Sequence, residues 1–414
     1  MQEIIERNLN AEQRMMRDTI RAFVDKDVIP FVRKNWMKEW DMVPENRPTL
    51  ELLQGAHNIG VRGLCIPEEF GGTPLDPATE VQTIAMVSEE ISRGDSGLAD
   101  KLAQIWKVSM LLANVAPRHL QEHWFPKIAE DPSFLLSHAL TEPRGASDRW
   151  LPYDVPEAMM HTKAVKKGDR WVINGRKQFI TNGYDAKLYV VYATTLPGAG
   201  ITKGTSSFLV PRDTIGLTVA RCNETLGGRF MNNGEIVFED CEVPEDHCLV
   251  QDIAMTRAGI YFRPGKIVVA AKNLGVGMAA FEATAQYVQN YVQGGRILIK
   301  HQAVAVRVGE MITKLNAVRA LLNEAIRAVE AKTHDAEGLC NQAKLFASEE
   351  IFKVCMHAVE LHGGNGIMLD FGVEKFMRDA SLFLHRDATV DISKFKIVKA
   401  MFPHTAGKYA GPEN

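Results

Sequence analysis

The hydrophobic period of the chain changes twice. From the start to about residue 130, apolar positions fall three and four apart, as in Ile20, Phe23, Val24 and Val28, and again in Val81, Ile84, Val87 and Ile91. That spacing predicts amphipathic helices. Between the two sets, Cys65-Ile66-Pro67-Glu68-Glu69-Phe70-Gly71-Gly72 is a loop punctuated by proline and a glycine pair. Near Phe134 the pattern breaks into short runs rich in Val, Ile and aromatics, at 162–167, 171–173, 178–180, 188–193, 207–210 and 236–240. Gly168-Asp169 and Asn174-Gly175 separate the first three, and Asn-Gly between apolar runs predicts a hairpin turn. Short strands with little room for helices predict an antiparallel sandwich or barrel. From about residue 255 the helical period returns. Val304, Val308, Met311, Leu315, Val318, Leu322, Ala325 and Val329 form one stripe, and Ala347, Ile351, Val354, Ala358 and Leu361 form the next. Such stripes suit antiparallel bundle packing.

The layout is therefore α+β: an N-terminal helical domain at 1–133, a central antiparallel β domain at 134–252 and a C-terminal four-helix bundle at 253–402. A tail at 403–414 is expected to be unstructured or to pack on a neighbour.

Composition narrows the function classes. With 414 residues, 46% hydrophobic and 24% charged, the chain has the make-up of a globular protein with room for two or three cores. A net charge of −3 argues against nucleic acid as a partner. Six scattered cysteines without CxxC spacing suggest a reducing compartment, and neither a metal site nor a disulfide framework is expected. The acidic start Met1-Gln2-Glu3 lacks a signal-peptide core, and no apolar run reads as a membrane span. A cytoplasmic location without stable membrane insertion is the expectation.

Four segments carry candidate chemistry. Leu140 to Asp148 reads LTEPRGASD, and Phe179 to Gly183 reads FITNG. A third runs from Gly294-Gly295 to His301-Gln302. The last, Leu361 to Ile392, places Gly363-Gly364-Asn365-Gly366 before Arg378-Asp379 and Asp387-Ala388-Thr389. Glycines there permit positive φ and close approach of backbone to a ligand.

In this frame the sequence resembles the flavin-dependent acyl-CoA dehydrogenases over essentially residues 10 to 400. The LTEPRGASD and FITNG segments are similar to the family's LTEPxAGSD loop and WITNG strand end, with Gly145-Ala146 inverted and a longer, Pro-rich Arg149–Glu157. Leu226-Gly227-Gly228-Arg229 and the strand up to Pro244 also match. The resemblance implies FAD as cofactor, an acyl-CoA substrate, an electron-transfer flavoprotein as electron acceptor, and a homotetramer in which one FAD site uses two chains. It assigns the flavin ring to Leu140, Thr141, Ser147, Phe179 and Thr181. It assigns the nucleotide part, partly across subunits, to His301, Gln302, Glu360, Gly363, Gly364, Thr389 and Asp391. Tyr291 and Gly294 replace the arginine and phenylalanine usual near His301, and Arg296 is a possible substitute contact. The substrate is assigned to Ser147, Lys266, Arg386 and Ala388.

The departures concern the acids. The family's glutamate, the base that removes the proton α to the thioester, falls on Asp387; the alternative base position on the first bundle helix is Gly265. Aspartate is one methylene shorter, roughly 1.5 Å of reach, where proton transfer wants heavy atoms within about 3 Å. Asp100, in Asp95-Ser96-Gly97-Leu98-Ala99-Asp100-Lys101, is either a solvated helix residue or a second, remote base facing the acyl pocket. His385-Arg386 stands where Ile-Tyr is usual, and Arg386 either meets a substrate carboxylate or pairs with an acid. Together these point to an alicyclic acyl-CoA, of the cyclohexane- or cyclohexenecarboxyl-CoA type, and to 1,4-elimination if Asp100 is a base. Branched or dicarboxylic acyl-CoA oxidation, a flavin oxidase or monooxygenase, and a non-catalytic flavin subunit remain open alternatives.

Overall fold

The computed structural model describes residues 9–47, 49–145, 147–148, 155–255, 257 and 263–402. The 403–414 tail and the Pro-rich stretch 149–154 lie outside them, as does Ala146 of the inverted pair.

Three layers follow in chain order. The first comprises α1 (Ala11–Phe23), α2 (Ile29–Asn35), α3 (Leu50–Asn58), α4 (Glu80–Gly94), α5 (Ser96–Val115) and α6 (Arg118–Glu130). Asn10 and Gln13 close a reciprocal capping box on α1, and a π-helical turn at Val24–Val28 carries it into α2. The Cys65–Gly72 loop is a packing device: Phe70 stacks on Phe125 at 5.3 Å. Asp95 caps α5 by accepting from the Leu98 amide at 2.7 Å. On that helix Asp100, Gln104 and Lys107 recur by four and three, so they share one face. That face is the one turned toward the candidate site.

The second layer is an eight-stranded sheet: β1 (Leu136–Ala139), β2 (Lys163–Lys167), β3 (Arg170–Thr181), β4 (Leu188–Thr194), β5 (Thr205–Pro211), β6 (Leu217–Asn223), β7 (Asn233–Pro244) and β8 (Cys248–Val250). Its order is β6-β7-β3-β2-β4-β5-β8, with β1 alongside β4. Two points differ from the sequence expectation. The runs 171–173 and 178–180 belong to one strand, and Asn174-Gly175 lies in a bulge within it. Gly175 has φ 147°, and a Cβ there would sit 2.5 Å from the Thr162 Cα. Asn174 meanwhile accepts from the Asp240 amide at 2.8 Å. The hairpin turn is Gly168-Asp169, with Gly168 at φ 62°. The sheet is also not purely antiparallel, since β1 and the end of β2 pair with β4 in parallel. β1 has four buried residues and no alternation, which left no period to read.

The third layer holds α7 (Arg263–Asn290), α8 (Gln302–Glu330), α9 (Ala336–His362), α10 (Val373–Phe383) and α11 (Val390–Met401). The predicted stripes are its core: Met311, Leu315, Val318, Ala347, Ile351 and Val354 are buried. Gly265–Asn290 of α7 is, by length and composition, apolar enough to cross a membrane, contrary to the sequence reading; most of it is buried inside the fold. Gly275 lets α7 approach α4 closely, since a Cβ there would stand 2.2 Å from the Glu89 carbonyl oxygen.

The Arg378-Asp379 pair locks the layers together. Arg378 binds Glu39 at 2.5 Å, Asp379 accepts from the Gly228 amide at 2.7 Å, and Lys375 joins Asp379 at 2.6 Å to Asp95 at 3.0 Å. The backbone of α10 leaves no room beside Gly227, where a Cβ would lie 2.5 Å from the Arg378 carbonyl carbon. Gly227→Ala is therefore expected to lose about 1–3 kcal/mol in urea unfolding, the usual range for forced overpacking.

Candidate active site

A cavity of about 440 Å³ opens where the three layers meet. The sheet contributes Leu140, Thr141, Ser147, Phe179 and Thr181. The α5 face contributes Asp100, Gln104 and Lys107; α7 contributes Gly265, Lys266 and Lys272; the α10–α11 connection contributes 385–389.

That connection has an unusual backbone. Asp387 has φ 51° and Ala388 φ 85°, two successive non-glycine residues in a region L-residues avoid. Surrounding contacts over-determine it. Lys344, buried on α9, donates to the Ala388 carbonyl at 2.7 Å. The Val390 amide reaches back to Leu384 at 3.1 Å, and Thr389 caps α11 by accepting from Ile392 at 3.3 Å. Burial pulls the Lys344 ammonium down, to about 8, against the opposing charge of Asp387. The Asp387 carboxyl group projects into the cavity 3.6 Å from Lys107 Nζ and is half-exposed. Gly265 lines the same cavity, with open space where a Cβ would stand, so α7 offers no carboxylate at the alternative position.

Asp100 is neither solvated nor free. Only 4% exposed, it lines the cavity with both carboxylate oxygens engaged: Oδ1 accepts from Lys272 Nζ at 2.6 Å and Oδ2 from Arg386. Arg386 therefore pairs with an acid. Burial pulls the Lys272 ammonium below the ordinary lysine range, to about 8, and the charge of Asp387 opposes the pull. The direct contact with Asp100 opposes it too. Lys272 and Lys344 escaped the sequence reading. Lys272 did leave a signal: it interrupts the apolar run Ile267–Leu274, where a buried cation needs a partner.

The two sheet segments lie side by side because the Gln178 amide donates to the Thr141 carbonyl at 2.9 Å. A buried ion pair anchors the first of them. Glu142 meets Lys177 at 2.7 Å and also accepts from the His161 and Thr162 amides, at 2.6 and 2.9 Å. Burial pushes the Glu142 carboxyl up, but Lys177 and these hydrogen bonds outweigh it and hold the group below the ordinary range. Phe179 sits at φ 58° and is 58% exposed, an aromatic face turned into the cavity. An exposed aromatic flanked by Thr141, Ser147 and Thr181 fits a flat heteroaromatic ring with polar edges.

The other assigned residues lie elsewhere. Thr389 lines the cavity; His301, Gln302, Glu360, Gly363, Gly364 and Asp391 do not. His301 bonds the Gln293 carbonyl at 2.9 Å, and Glu360 contacts His357 at 3.1 Å. Gly363 and Gly364 are exposed, with open space where side chains would be, and Asp391 pairs with Lys394 at 3.1 Å. Tyr291, in place of the usual arginine, stacks on Tyr287 at 4.8 Å. Arg296 is exposed on a two-stranded ribbon, opposite Gln293. Lys266 and Ala388 line the cavity beside Arg386.

The family models for the acyl-CoA dehydrogenase N-terminal, middle and C-terminal domains match residues 10–131, 137–241 and 255–387 in turn. The chain belongs to the acyl-CoA dehydrogenase family. An acyl-CoA dehydrogenase of Bacillus subtilis (strain 168) is 30% identical over 96% of this chain and 100% of its own length. A cyclohex-1-ene-1-carbonyl-CoA dehydrogenase of Syntrophus aciditrophicus (strain SB) is 31% identical over 90% of this chain and 86% of its own. Among solved structures, a glutaryl-coenzyme A dehydrogenase in complex with glutaryl-CoA superposes with TM-score 0.86 at 25% identity, covering 98% and 99% of the two chains. As an acyl-CoA dehydrogenase the protein is an FAD-dependent oxidoreductase acting on acyl-CoA thioesters. When bound, the flavin supplies the hydride acceptor that no side chain can provide.

Proposed function

We propose that this acyl-CoA dehydrogenase oxidises a ring-bearing acyl-CoA, of the cyclohexane- or cyclohexenecarboxyl-CoA type. The observation that carries the reading is a pair of carboxylates on one cavity at different depths, Asp387 half-exposed and Asp100 almost fully buried. Asp387 takes the proton next to the thioester carbonyl of a saturated ring. Asp100 takes a proton from a carbon farther round a ring that already carries a double bond, giving 1,4-elimination. One base at one depth serves a linear chain, whereas a ring presents hydrogens at two. The relative from Syntrophus aciditrophicus, a cyclohex-1-ene-1-carbonyl-CoA dehydrogenase, supports the same substrate class.

A second reading has its own support. Lys107, Lys266, Lys272 and Arg386 outnumber Asp100 and Asp387 around the cavity, an excess of positive charge that suits a dicarboxylic acyl-CoA. Anaerobic bleaching of the bound flavin separates the two. Cyclohexane- and cyclohexenecarboxyl-CoA are expected to bleach it faster than glutaryl- or butyryl-CoA. A clear preference for glutaryl-CoA would transfer the assignment to the dicarboxylic class.

Reduced flavin is expected to pass its electrons to an electron-transfer flavoprotein rather than to oxygen, so slow reoxidation in air accompanies this reading. Homotetramer assembly belongs to it as well. His301, Gln302, Glu360, Gly363 and Gly364 stand away from the cavity of their own chain, and Ile367, Met368, Leu369 and Phe371 expose apolar surface close by in sequence.

A further inference from the structure

We propose that Lys272, acting through Asp100, is the group that stores the proton removed from the far side of the ring. This rests on the ring-substrate reading and adds a residue to it.

The need for such a group comes from the geometry of Asp100. A carboxylate hydrogen-bonded to a lysine on one oxygen and an arginine on the other is stabilised as an anion and is a weak proton acceptor. Its two partners are not equivalent. A guanidinium does not give up its proton in a protein, so Arg386 is a fixed cation. An ammonium can, and Lys272 is only 6% exposed, on the cavity wall, with its Nζ 2.6 Å from Asp100. With Lys272 neutral, Asp100 keeps its ion pair with Arg386 and gains a base at hydrogen-bond distance.

The step then balances. A ring C–H bond breaks and its proton passes to Asp100 Oδ1, then along the existing hydrogen bond to the Lys272 amine. The electron pair left behind forms a new ring double bond and shifts the existing one. Oxidised FAD, when bound, would supply the acceptor for the hydride that leaves the other ring carbon. Asp100 returns to the carboxylate and Lys272 becomes an ammonium. Substrate loses two hydrogens, one as a proton on Lys272 and one as hydride on the cofactor.

The charged and titratable groups around this pair come from every neighbouring element. Lys107 lies on α5, Lys266 on α7 itself, His138 on β1, Lys344 on α9, and His385, Arg386 and Asp387 in the α10–α11 connection. Burial and the cations favour the neutral amine, whereas Asp387 and the directly bonded Asp100 favour the ammonium. The reactive form is the neutral amine, so the rate must rise with pH through the value of Lys272, near 8.

The test is anaerobic stopped-flow bleaching of the FAD holoenzyme from pH 6 to 10. Wild type, Lys272→Met, Lys272→Arg and Asp100→Asn are compared with cyclohexenecarboxyl-CoA, and with cyclohexanecarboxyl-CoA as internal control. For the unsaturated ring, wild type should accelerate with a midpoint near pH 8. Both Lys272 variants should be slower by roughly 10²-fold and lose that step. In both variants the rate for the unsaturated ring should fall relative to that for the saturated ring by at least about tenfold, and an unchanged FAD content and urea-unfolding midpoint show that they are folded. Full activity of Lys272→Arg would overturn the proposal, because arginine restores the charge but cannot store a proton. Bleaching that needs Asp100 and ignores Lys272 would overturn it while leaving the ring-substrate reading intact. No bleaching of wild type by either ring thioester would remove both.

Discussion

Asp387→Asn is expected to slow flavin bleaching by cyclohexanecarboxyl-CoA by about 10²–10⁴-fold, the range that a positioned general base contributes. Asparagine is the informative replacement for three reasons. It keeps the volume. It tolerates the left-handed backbone that Asp387 adopts at φ 51°. It also has no basic oxygen. Alanine would confound the result by adding strain to a connection already held by Lys344, Thr389 and the Val390 amide. The loss should appear in the bleaching rate far more than in thioester affinity, since a base acts on the transition state. Asp387→Asn protein that bleaches at the wild-type rate would remove Asp387 from the mechanism. The shorter reach of aspartate sharpens the expectation: substrate has to lie close to the α10–α11 connection, so a wider ring placed against it should react better than a slim chain.

Glu142→Ala is expected to destabilise the β domain by about 3–5 kcal/mol and to lower the FAD content of the purified protein. The mutation strands Lys177, fully buried, without its counter-charge, and breaking one half of a buried pair costs that much. It also frees the His161 and Thr162 amides at the entry to β2, and with them the Leu140–Ser147 loop that lines the cavity. Two further measurements check the cause. Glu142→Met combined with Lys177→Met should recover much of the stability, because an apolar pair leaves no unpaired buried charge. The difference between wild type and Glu142→Ala should also depend on pH. The folded value of Glu142 lies below its unfolded one, so its contribution is complete above the unfolded value and is lost as pH falls through the folded value. Urea unfolding at pH 7 and in acid reads this directly. An equal loss at both would place the effect elsewhere.

Much of the site was legible in the chain because its parts are local. The Leu140 and Phe179 segments are each continuous, and their backbone chemistry is written in adjacent residues. Asp387 could be placed by counting from Met377-Arg378-Asp379-Ala380 because the resemblance to the family supplied that frame. Asp100 stood out as an acid on the helix that the resemblance makes a wall of the acyl pocket, with a solvated position left open, and its partners were not visible. Lys272 lies 172 positions away and Arg386 lies 286 away. The Asn174-Gly175 dipeptide misled for the opposite reason. Its local preference is for a turn, yet β7 and Thr162 crowd it on both sides and impose a bulge inside one long strand.

The sequence by itself determined the order of the three layers and the faces that become their cores, because period is a property of the chain, and its motifs assigned flavin and thioester segments through their resemblance to the family. Only the tertiary structure decided which charges face one another across the cavity. It turned Asp100 from an isolated acid into one member of a buried triad with Lys272 and Arg386. The physical reason is that burial makes a charge depend on its nearest neighbours, and those neighbours come from other helices that only packing brings within hydrogen-bond reach.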